Sequence, residues 1–328
     1  MHEKKIITYI VLGLCGLFMI MPFAWMLATS VKSQLEINKG NNGFVPYIES
    51  DFLDLGEEGE LLRCKILKPA PGDSLWINIF NEEGVIIASY LKVPAAAVSH
   101  KKNIKFIFSN FSNAWKKVPF GRYFLNTILV SCSSVFGVII TGCLAAYAFA
   151  RMKFAGKELL FYLFISMMMV PQPVYIIPSY ILLHKLGWLN TYYALIVPWL
   201  ANIFTIFLLR QHFKSLPQEL FDAASIDGCS RFGALWRIVL PLSKGVIATA
   251  AIFAFIGSWN SFMWPLVMID SPKLRVLQVG LSYFSAEASS QTALLMAAST
   301  FSILPLVLLF LIAQKQIMSS FVSSGLKG

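Results

Sequence analysis

Six long apolar runs, free of acids, Lys, Arg and His, constrain the fold of this chain more than any other feature. They lie at roughly residues 6–29, 124–149, 159–183, 192–209, 246–269 and 292–313. A run of about 20 apolar residues has the length that an α-helix needs to cross the hydrocarbon core of a bilayer. With 57% of its 328 residues hydrophobic and 13% charged, the chain is predicted to be an all-α polytopic membrane protein with six transmembrane helices.

The short loops between these runs differ in their basic residues. Twelve Lys and Arg fall on the side that holds both termini, whereas the opposite short loops hold only Lys185, Lys273 and Arg275. Short cytoplasmic loops of membrane proteins carry an excess of Lys and Arg, so both termini are predicted to be cytoplasmic. The first run is too long for the apolar part of a signal peptide, which favours an uncleaved first helix.

The predicted organisation has four parts. Residues 1–30 form the first transmembrane helix, and residues 31–122 form an extracytoplasmic loop with a β-rich insert at about 40–103, because short β-type runs occur at Leu61 to Leu67, Leu75 to Phe80 and Val85 to Leu91. Residues 123–314 form a core of five transmembrane helices, which includes a cytoplasmic loop at 210–245. Residues 315–328 form a cytoplasmic tail.

The cytoplasmic loop at 210–245 is predicted to contain two short helices. Ser215 and Gln218 have the spacing of a capping box at the start of the first helix. Leu220, Ala223 and Ala224 would share one thin face, against which another protein could pack closely. Gly228 supplies the backbone freedom for a turn. The second helix would carry one apolar stripe, made of Phe232, Leu235, Trp236 and Val239.

The spacing of residues in this loop also resembles a known family. Asp222-Ala223-Ala224, then Gly228 after three residues, Ile238 after nine more and Leu240-Pro241 resemble the EAA loop of bacterial ABC importer permeases. Further segments resemble the MalG-like, carbohydrate-importing branch of that family: Pro119 to Asn126, Trp259 to Leu266, and Ser324 to Gly328. Two features depart from the family pattern, since Asp222 replaces the usual Glu and the insert enlarges the first outer loop.

The resemblance implies a permease subunit of an ATP-driven, binding-protein-dependent importer of a sugar or oligosaccharide, working by alternating access in the bacterial plasma membrane. It implies three protein partners: an ABC ATPase dimer that binds ATP and Mg²⁺, a second permease subunit, and an extracytoplasmic solute-binding protein. The tail residues Gly325 and Lys327 would also contact the ATPase. The residues of the ATPase-coupling loop would be Glu219, Asp222, Ala223, Ala224, Asp227, Gly228, Ile238, Leu240 and Pro241.

The chain is not predicted to be an enzyme. It contains no GxxxxGK[ST], HExxH or GxSxG motif, its five Cys form no CxxC pair, and its four His are scattered. No catalytic residue, bound cofactor, metal site or nucleic-acid partner is therefore expected. Two alternatives remain open. One is an ion-coupled secondary carrier, although such carriers keep ionisable groups at membrane depth; the other is a membrane scaffold or sensor that uses the outer β-module.

A few polar or stacking side chains fall within the apolar runs and are candidates for a solute path: Gln172, Asn202, Trp259 and Asn260. An unpaired amide at membrane depth is costly, so it meets a partner or water. A neutral polyol such as a sugar would suit these groups. The alternative for each is a hydrogen bond between helices that serves packing alone.

Overall fold

The structure, a computed structural model, describes residues 2–54, 61–81, 86–286 and 291–325. The chain divides into two compact units, Met1–Ala114 with Ser285–Thr300, and Trp115–Phe284 with Phe301–Gly328. The first unit holds a β-sheet and the second holds most of the helices. The described chain is mostly helical with one small sheet, as the sequence predicts.

The first unit begins with the long apolar helix α1 (His2–Ser30), and buried polar groups fix the chain where this helix ends. The amide of Asn110 donates hydrogen bonds to the carbonyl oxygens of Ser30 and Lys32, at 2.8 Å each. The ammonium of the buried Lys32 donates to the carbonyl oxygen of Asn41 at 2.9 Å. These contacts satisfy backbone groups at a helix end. The helices concerned are α1 (His2–Ser30), α2 (Gln34–Asn38) and α3 (Ser109–Lys117).

The insert is a five-stranded antiparallel sheet. Its strands are β1 (Tyr47–Asp54), β2 (Leu61–Ala70), β3 (Ser74–Phe80), β4 (Ile86–Pro94) and β5 (Val98–Ile104), in the order β4-β3-β2-β1-β5. One face forms a core of Leu53, Cys64, Ile77, Ile79, Val93 and Val98. The predicted β-rich insert is confirmed. Sequence reasoning found β2, β3 and β4 but missed β1 and β5, whose apolar residues are separated by acids or lysines.

Cys64 belongs to this core and is a free thiol. Burial raises the pKa of its thiol from 9.0 to about 11, because a thiolate is poorly solvated among apolar side chains. At neutral pH Cys64 therefore acts as a small hydrophobic residue.

The second unit is a helical bundle built around α4. Its helices are α4 (Phe120–Arg151), α5 (Lys157–Ser166), α6 (Gln172–Lys185), α7 (Tyr192–Ile196), α8 (Ile203–Ser215), α9 (Glu219–Ile226), α10 (Arg231–Ala234), α11 (Leu240–Leu242), α12 (Lys244–Trp259), α13 (Met263–Met268), α14 (Leu277–Ala286) and α15 (Thr292–Gly325). The last of these also enters the first unit.

Within the described ranges, four helical segments are long and apolar enough to cross a membrane: Lys5–Ser30, Phe120–Arg151, Tyr192–Ser215 and Thr292–Gln314. Two bent pairs raise the number to six if each pair is one span. They are Lys157–Met169 with Gln172–Lys185, at 104°, and Arg231–Leu242 with Lys244–Trp259, at 82°.

Several predicted spans are interrupted. The run at 159–183 bends at Pro171, which lacks the N–H that would continue the helical hydrogen bonds. The run at 246–269 is divided between α12 and α13, with Asn260 as the residue that follows α12. The run at 192–209 passes through a short 3₁₀ turn at Val197–Trp199. These breaks expose backbone and polar side chains at the depth where the candidate solute path is predicted.

Two glycines allow α4 to approach its neighbours closely. A Cβ atom at Gly137 would lie 2.3 Å from the Leu200 side chain, and one at Gly142 would lie 2.8 Å from the Thr205 side chain. Larger residues at these positions would force α4 away from the chain around α8. The close packing holds α4 against the chain around α8.

Candidate functional site

The predicted coupling loop contains the exposed helix α9 and the turn that follows it. The helix begins at Glu219, four residues after Ser215, whose hydroxyl donates to the carbonyl oxygen of His212 at 2.8 Å. The predicted capping box is therefore wrong. Instead the Gln218 amide donates to the Asp222 carboxylate at 3.0 Å, and this contact steadies the first turn of α9.

The end of α9 explains why a glycine occupies position 228. The N–H of Cys229 donates to the carbonyl oxygen of Ala224 at 2.8 Å, and the N–H of Gly228 donates to that of Ser225 at 3.2 Å. This pair of bonds is a Schellman motif, which needs a left-handed residue after the helix. Gly228 has φ +73°, so the predicted turn is present and its glycine is required by the backbone.

The segment after the turn carries two apolar faces. The Ser230 hydroxyl accepts a hydrogen bond from the N–H of Gly233 at 3.1 Å and starts α10. Leu235 and Val239 are buried against the bundle, whereas Phe232 and Trp236 are 60% and 57% exposed.

The predicted single stripe is therefore wrong. Positions three apart differ by roughly 60° around a helix, so the two pairs form neighbouring ridges and only one of them reaches the core. The segment Leu235–Val239 is also a π-helical turn. The rings of Phe232 and Trp236 lie 6.1 Å apart and form an outward-facing ridge.

The predicted loop residues differ in exposure. Ala224 is only 8% exposed and packs inward, so it is not part of the accessible face. Ile226 is 87% exposed, and Leu220 is also exposed. The remaining positions divide into exposed Glu219, Asp222, Ala223, Asp227, Gly228 and Pro241, and half-buried Ile238 and Leu240. The exposed apolar surface therefore consists of Leu220, Ala223, Ile226, Phe232 and Trp236, which we call the loop patch.

Arg151, at the end of α4, is a residue of this site that sequence reasoning missed. Its guanidinium donates to the carbonyl oxygen of Phe213 through Nε at 3.0 Å and Nη2 at 2.7 Å, to that of Leu216, and to the Gln218 side chain at 2.9 Å. Its Cζ also lies 4.1 Å from the centre of the Phe221 ring. One side chain therefore joins α4 to the end of α8 and the start of α9.

Arg210 makes a second anchor near the same end of the bundle. Its guanidinium is 4% exposed, lies 2.7 Å from the Glu158 carboxylate and stacks 3.6 Å from the centre of the Phe161 ring. It also donates to the carbonyl oxygen of Phe149 at 3.2 Å. These contacts tie α8 to α5 and α4, so the loop begins at a braced part of the bundle.

A cavity of about 520 Å³ lies inside the second unit. Three of the predicted path residues line it: Gln172, Asn202 and Asn260. Four hydroxyls and five aromatic rings accompany them, from Thr127, Ser134, Ser258, Ser261, Trp199, Phe204, Phe253, Phe262 and Trp264. Among the side chains described there, none that lines the cavity is an acid, Lys, Arg or His.

Trp259 does not line this cavity. It is fully buried, its indole N–H donates to the carbonyl oxygen of Ser302 at 3.0 Å, and its ring stacks on Phe255 with centroids 5.5 Å apart. Trp259 therefore serves packing between helices, and it is not part of the cavity lining. Asn202 has a structural role as well, since its side-chain amide oxygen Oδ1 accepts a hydrogen bond from the N–H of Thr205 at 2.8 Å and caps α8.

The structure describes one of the two predicted tail residues. Gly325 is the last residue of α15, and Lys327 lies outside the described residues. Their contact with an ATPase stays a prediction.

An uncharged cavity lined by amides, hydroxyls and aromatic rings among broken helices, together with an exposed helical loop braced on the bundle, is consistent with a membrane transport protein. Residues 138–321 match the family described as the binding-protein-dependent transport system inner membrane component. The chain belongs to this family and is a permease subunit located in a membrane. The resemblance seen in the loop is confirmed.

Relatives of this chain serve sugar uptake. The diacetylchitobiose uptake system permease protein NgcG of Streptomyces coelicolor is 33% identical, over 76% of this chain and 82% of that protein. The trehalose/maltose transport system permease protein MalG of Thermococcus litoralis is 31% identical, over 74% and 90%. In fold, the chain is similar to a chain of a bacterial ABC transporter involved in the import of the acidic polysaccharide alginate, with a TM-score of 0.68, 19% identity and 96% of each chain covered.

Proposed function

We propose that this permease imports a sugar or oligosaccharide by alternating access. An ABC ATPase dimer would drive transport by binding the loop patch from the cytoplasm. ATP and Mg²⁺ would be bound by that dimer. A second permease subunit would complete the membrane path, and a solute-binding protein would deliver the sugar on the outer side. Both termini would be cytoplasmic and the β-rich insert extracytoplasmic.

The observation that carries this proposal is the braced, outward-facing loop patch. Exposed apolar patches rimmed by polar residues mark interaction surfaces, and exposed Glu219, Asp222 and Asp227 lie on α9 or at its end, beside the apolar residues of this patch. The Arg151 contacts prevent the loop from moving independently of α4. A force applied to α9 would therefore be transmitted to the bundle.

In this proposal the force travels along α4. The end of α4 at Arg151 holds the loop, and the part nearer its start contributes Thr127, Val130, Ser134 and Val138 to the cavity wall. Packed elements move as rigid bodies between discrete arrangements. Closure of the ATPase dimer would thus tilt the wall of the cavity and change the side from which the solute can enter.

The docking proposal is tested by adding a charge to the loop patch. Ala223→Asp places a carboxylate on an exposed position of α9, so it is expected to abolish co-purification of the ATPase while the permease still inserts. Ser89→Asp, an exposed position in the insert, is the matched control and should retain the ATPase. Full retention of the ATPase by Ala223→Asp would refute docking at this patch.

The sugar proposal rests on the chemistry of the cavity wall. Amides and hydroxyls can exchange hydrogen bonds with sugar hydroxyls, and aromatic rings offer apolar faces. Asn260→Ala is expected to weaken apparent sugar affinity in transport assays with ATPase activity intact.

Asn202 requires a variant that keeps its capping role. Asn202→Ser keeps a side-chain oxygen that can cap α8 and removes the amide group. Unchanged affinity in both variants would remove Asn202 and Asn260 from the path.

A further inference from the structure

The second face of the insert sheet, which does not contribute to the core, carries a regular pattern of cations and aromatic rings. Directly paired residues in neighbouring strands lie on the same face, so the strand register assigns them. Phe80 pairs with Arg63, and Arg63 pairs with Phe52. This gives a cross-strand row Phe80, Arg63, Phe52, in which the cation lies between two rings.

A second row has the inverse order. Lys92 pairs with Trp76, and Trp76 pairs with Lys68, so a ring lies between two cations. The register shift between Ile66 and Lys68 brings Lys68 opposite Trp76. Between the two rows, Lys65 pairs with Asn78, and farther along the sheet Lys101 pairs with Ser50.

These five cations are exposed: Arg63, Lys65, Lys68, Lys92 and Lys101. The rings of Phe52, Trp76 and Phe80 are half-buried. The side chains that the structure describes on this face include no acid. The strand register places Asp54, which pairs with Leu61, at one end of the same face, and its side chain lies outside the described residues, as do the loops at 55–60 and 82–85. Lys101 lies 5.8 Å from the centre of the Phe52 ring. We call this surface the basic–aromatic face.

We propose that the basic–aromatic face binds an acidic polysaccharide chain, one whose sugar units carry carboxylates. Neighbouring strands lie roughly 4.8 Å apart, a spacing close to the length of one sugar unit in a linear chain. A chain laid across the strands would therefore set successive units over rings and cations in turn. Carboxylates would pair with the Lys and Arg groups while sugar faces rest on the rings.

Two other partners fit less well. An acidic protein would bury the centre of the face, but Lys is depleted from the cores of protein interfaces and four of the five cations here are Lys. A bilayer surface would need aromatic side chains that protrude into the lipid, whereas these three rings are half-buried. A hydrated polyanionic chain would leave the ammonium groups partly in water. Its sugar faces would contact the rings in their half-buried positions.

The proposed ligand is distinct from the sugar of the cavity, because the described lining of the cavity offers no cation to a carboxylate. The inference rests on the proposed function only in assigning the insert to the outer side of the membrane. Binding by the purified protein requires neither the ATPase nor a particular orientation, so the two proposals fail separately.

The test uses the full chain in nanodiscs of neutral lipid. The probe is a fluorescent galacturonate decamer, and the neutral comparison is a fluorescent decamer of glucose units linked as in maltose. The wild type should bind the acidic probe more tightly, and added salt should weaken binding. The variant Arg63→Gln/Lys65→Gln/Lys68→Gln should lose about tenfold in affinity, since each exposed cation is worth a factor of roughly two.

The matched control removes the same number of charges outside the sheet. Lys105→Gln/Lys116→Gln/Arg122→Gln changes three exposed residues and should bind within twofold of the wild type. Unchanged mobility in size exclusion would show that both variants fold. Trp76→Leu should weaken binding without a change in salt dependence.

Three results would overturn the proposal. They are equal binding of the neutral and acidic decamers, an equal loss in the control, and a triple variant that binds as tightly as the wild type. A face that instead captures vesicles of acidic phospholipid and ignores the decamer would assign the surface to lipid and reject the polysaccharide.

Discussion

Replacing Arg151 with alanine should release the coupling loop from the bundle. The guanidinium donates to two backbone carbonyls and one side-chain amide, and it lies 4.1 Å from the Phe221 ring. Hydrogen bonds from a charged donor contribute about 1.5–3 kcal/mol each when well shielded. Because Arg151 is only half-buried, about 1 kcal/mol for each of three partners is appropriate.

The total is about 3 kcal/mol, which corresponds to a change of about a hundredfold in the equilibrium between the closed and open loop. Hydrogen exchange measures that equilibrium directly. Amides of α9 in Arg151→Ala should exchange about a hundredfold faster than in the wild type. Amides in the middle of α4 should be unchanged.

Arg151→Lys is the informative control. It keeps the positive charge but has no planar fork to reach several acceptors at once, so it should show an intermediate exchange rate. In reconstituted transporter, Arg151→Ala should hydrolyse ATP with little sugar transport. Unchanged exchange in α9, or normal transport per ATP in Arg151→Ala, would refute the role of Arg151 in transmitting force.

Three further predictions concern stability. Gly228→Ala forces a left-handed backbone on a residue with a side chain, so about 1–2 kcal/mol of loop stability should be lost, seen as faster hydrogen exchange in α9; an unchanged rate would contradict the capping role. Gly137→Ala should lower the melting temperature because its Cβ would lie 2.3 Å from Leu200, whereas Gly257→Ala, with open space around it, should not; equal melting temperatures would reject the close approach. The pKa of the Cys64 thiol is raised from 9.0 to about 11 in the folded insert, so the unfolded chain ionises first and stability should fall as pH rises from about 9 to about 11. In Cys64→Ala this added loss should be absent, and the same loss in both proteins would assign it elsewhere.

The sequence predicts the parts of this fold that depend on composition and local spacing. Apolar runs located four helical segments of the described chain that are long and apolar enough to cross a membrane, and the Asp222-Ala223-Ala224 and Gly228 spacing located α9 and its turn. Such features depend on residues that are neighbours along the chain. The same reasoning placed the capping box at Ser215, where the structure has a different local hydrogen bond.

Long-range contacts could not be predicted in this way. Arg151 reaches Phe213 and Gln218 across more than sixty residues, and nothing in the local sequence distinguishes it from an ordinary basic residue at a helix end. Trp259 was assigned to the solute path because it is aromatic and lies at membrane depth. Its position is set by Phe255 and Ser302 instead, and only the packed structure shows which side of α12 faces the cavity.

The most direct test of the account is the accessibility of Ile226, the most exposed apolar residue of the loop patch, at 87%. Ile226→Cys in a Cys229→Ser background would be exposed to an impermeant maleimide in inside-out and right-side-out vesicles. The account predicts labelling only in inside-out vesicles, and loss of that labelling when the ATPase is bound. Labelling from the outer side, or labelling that the ATPase does not reduce, would contradict it.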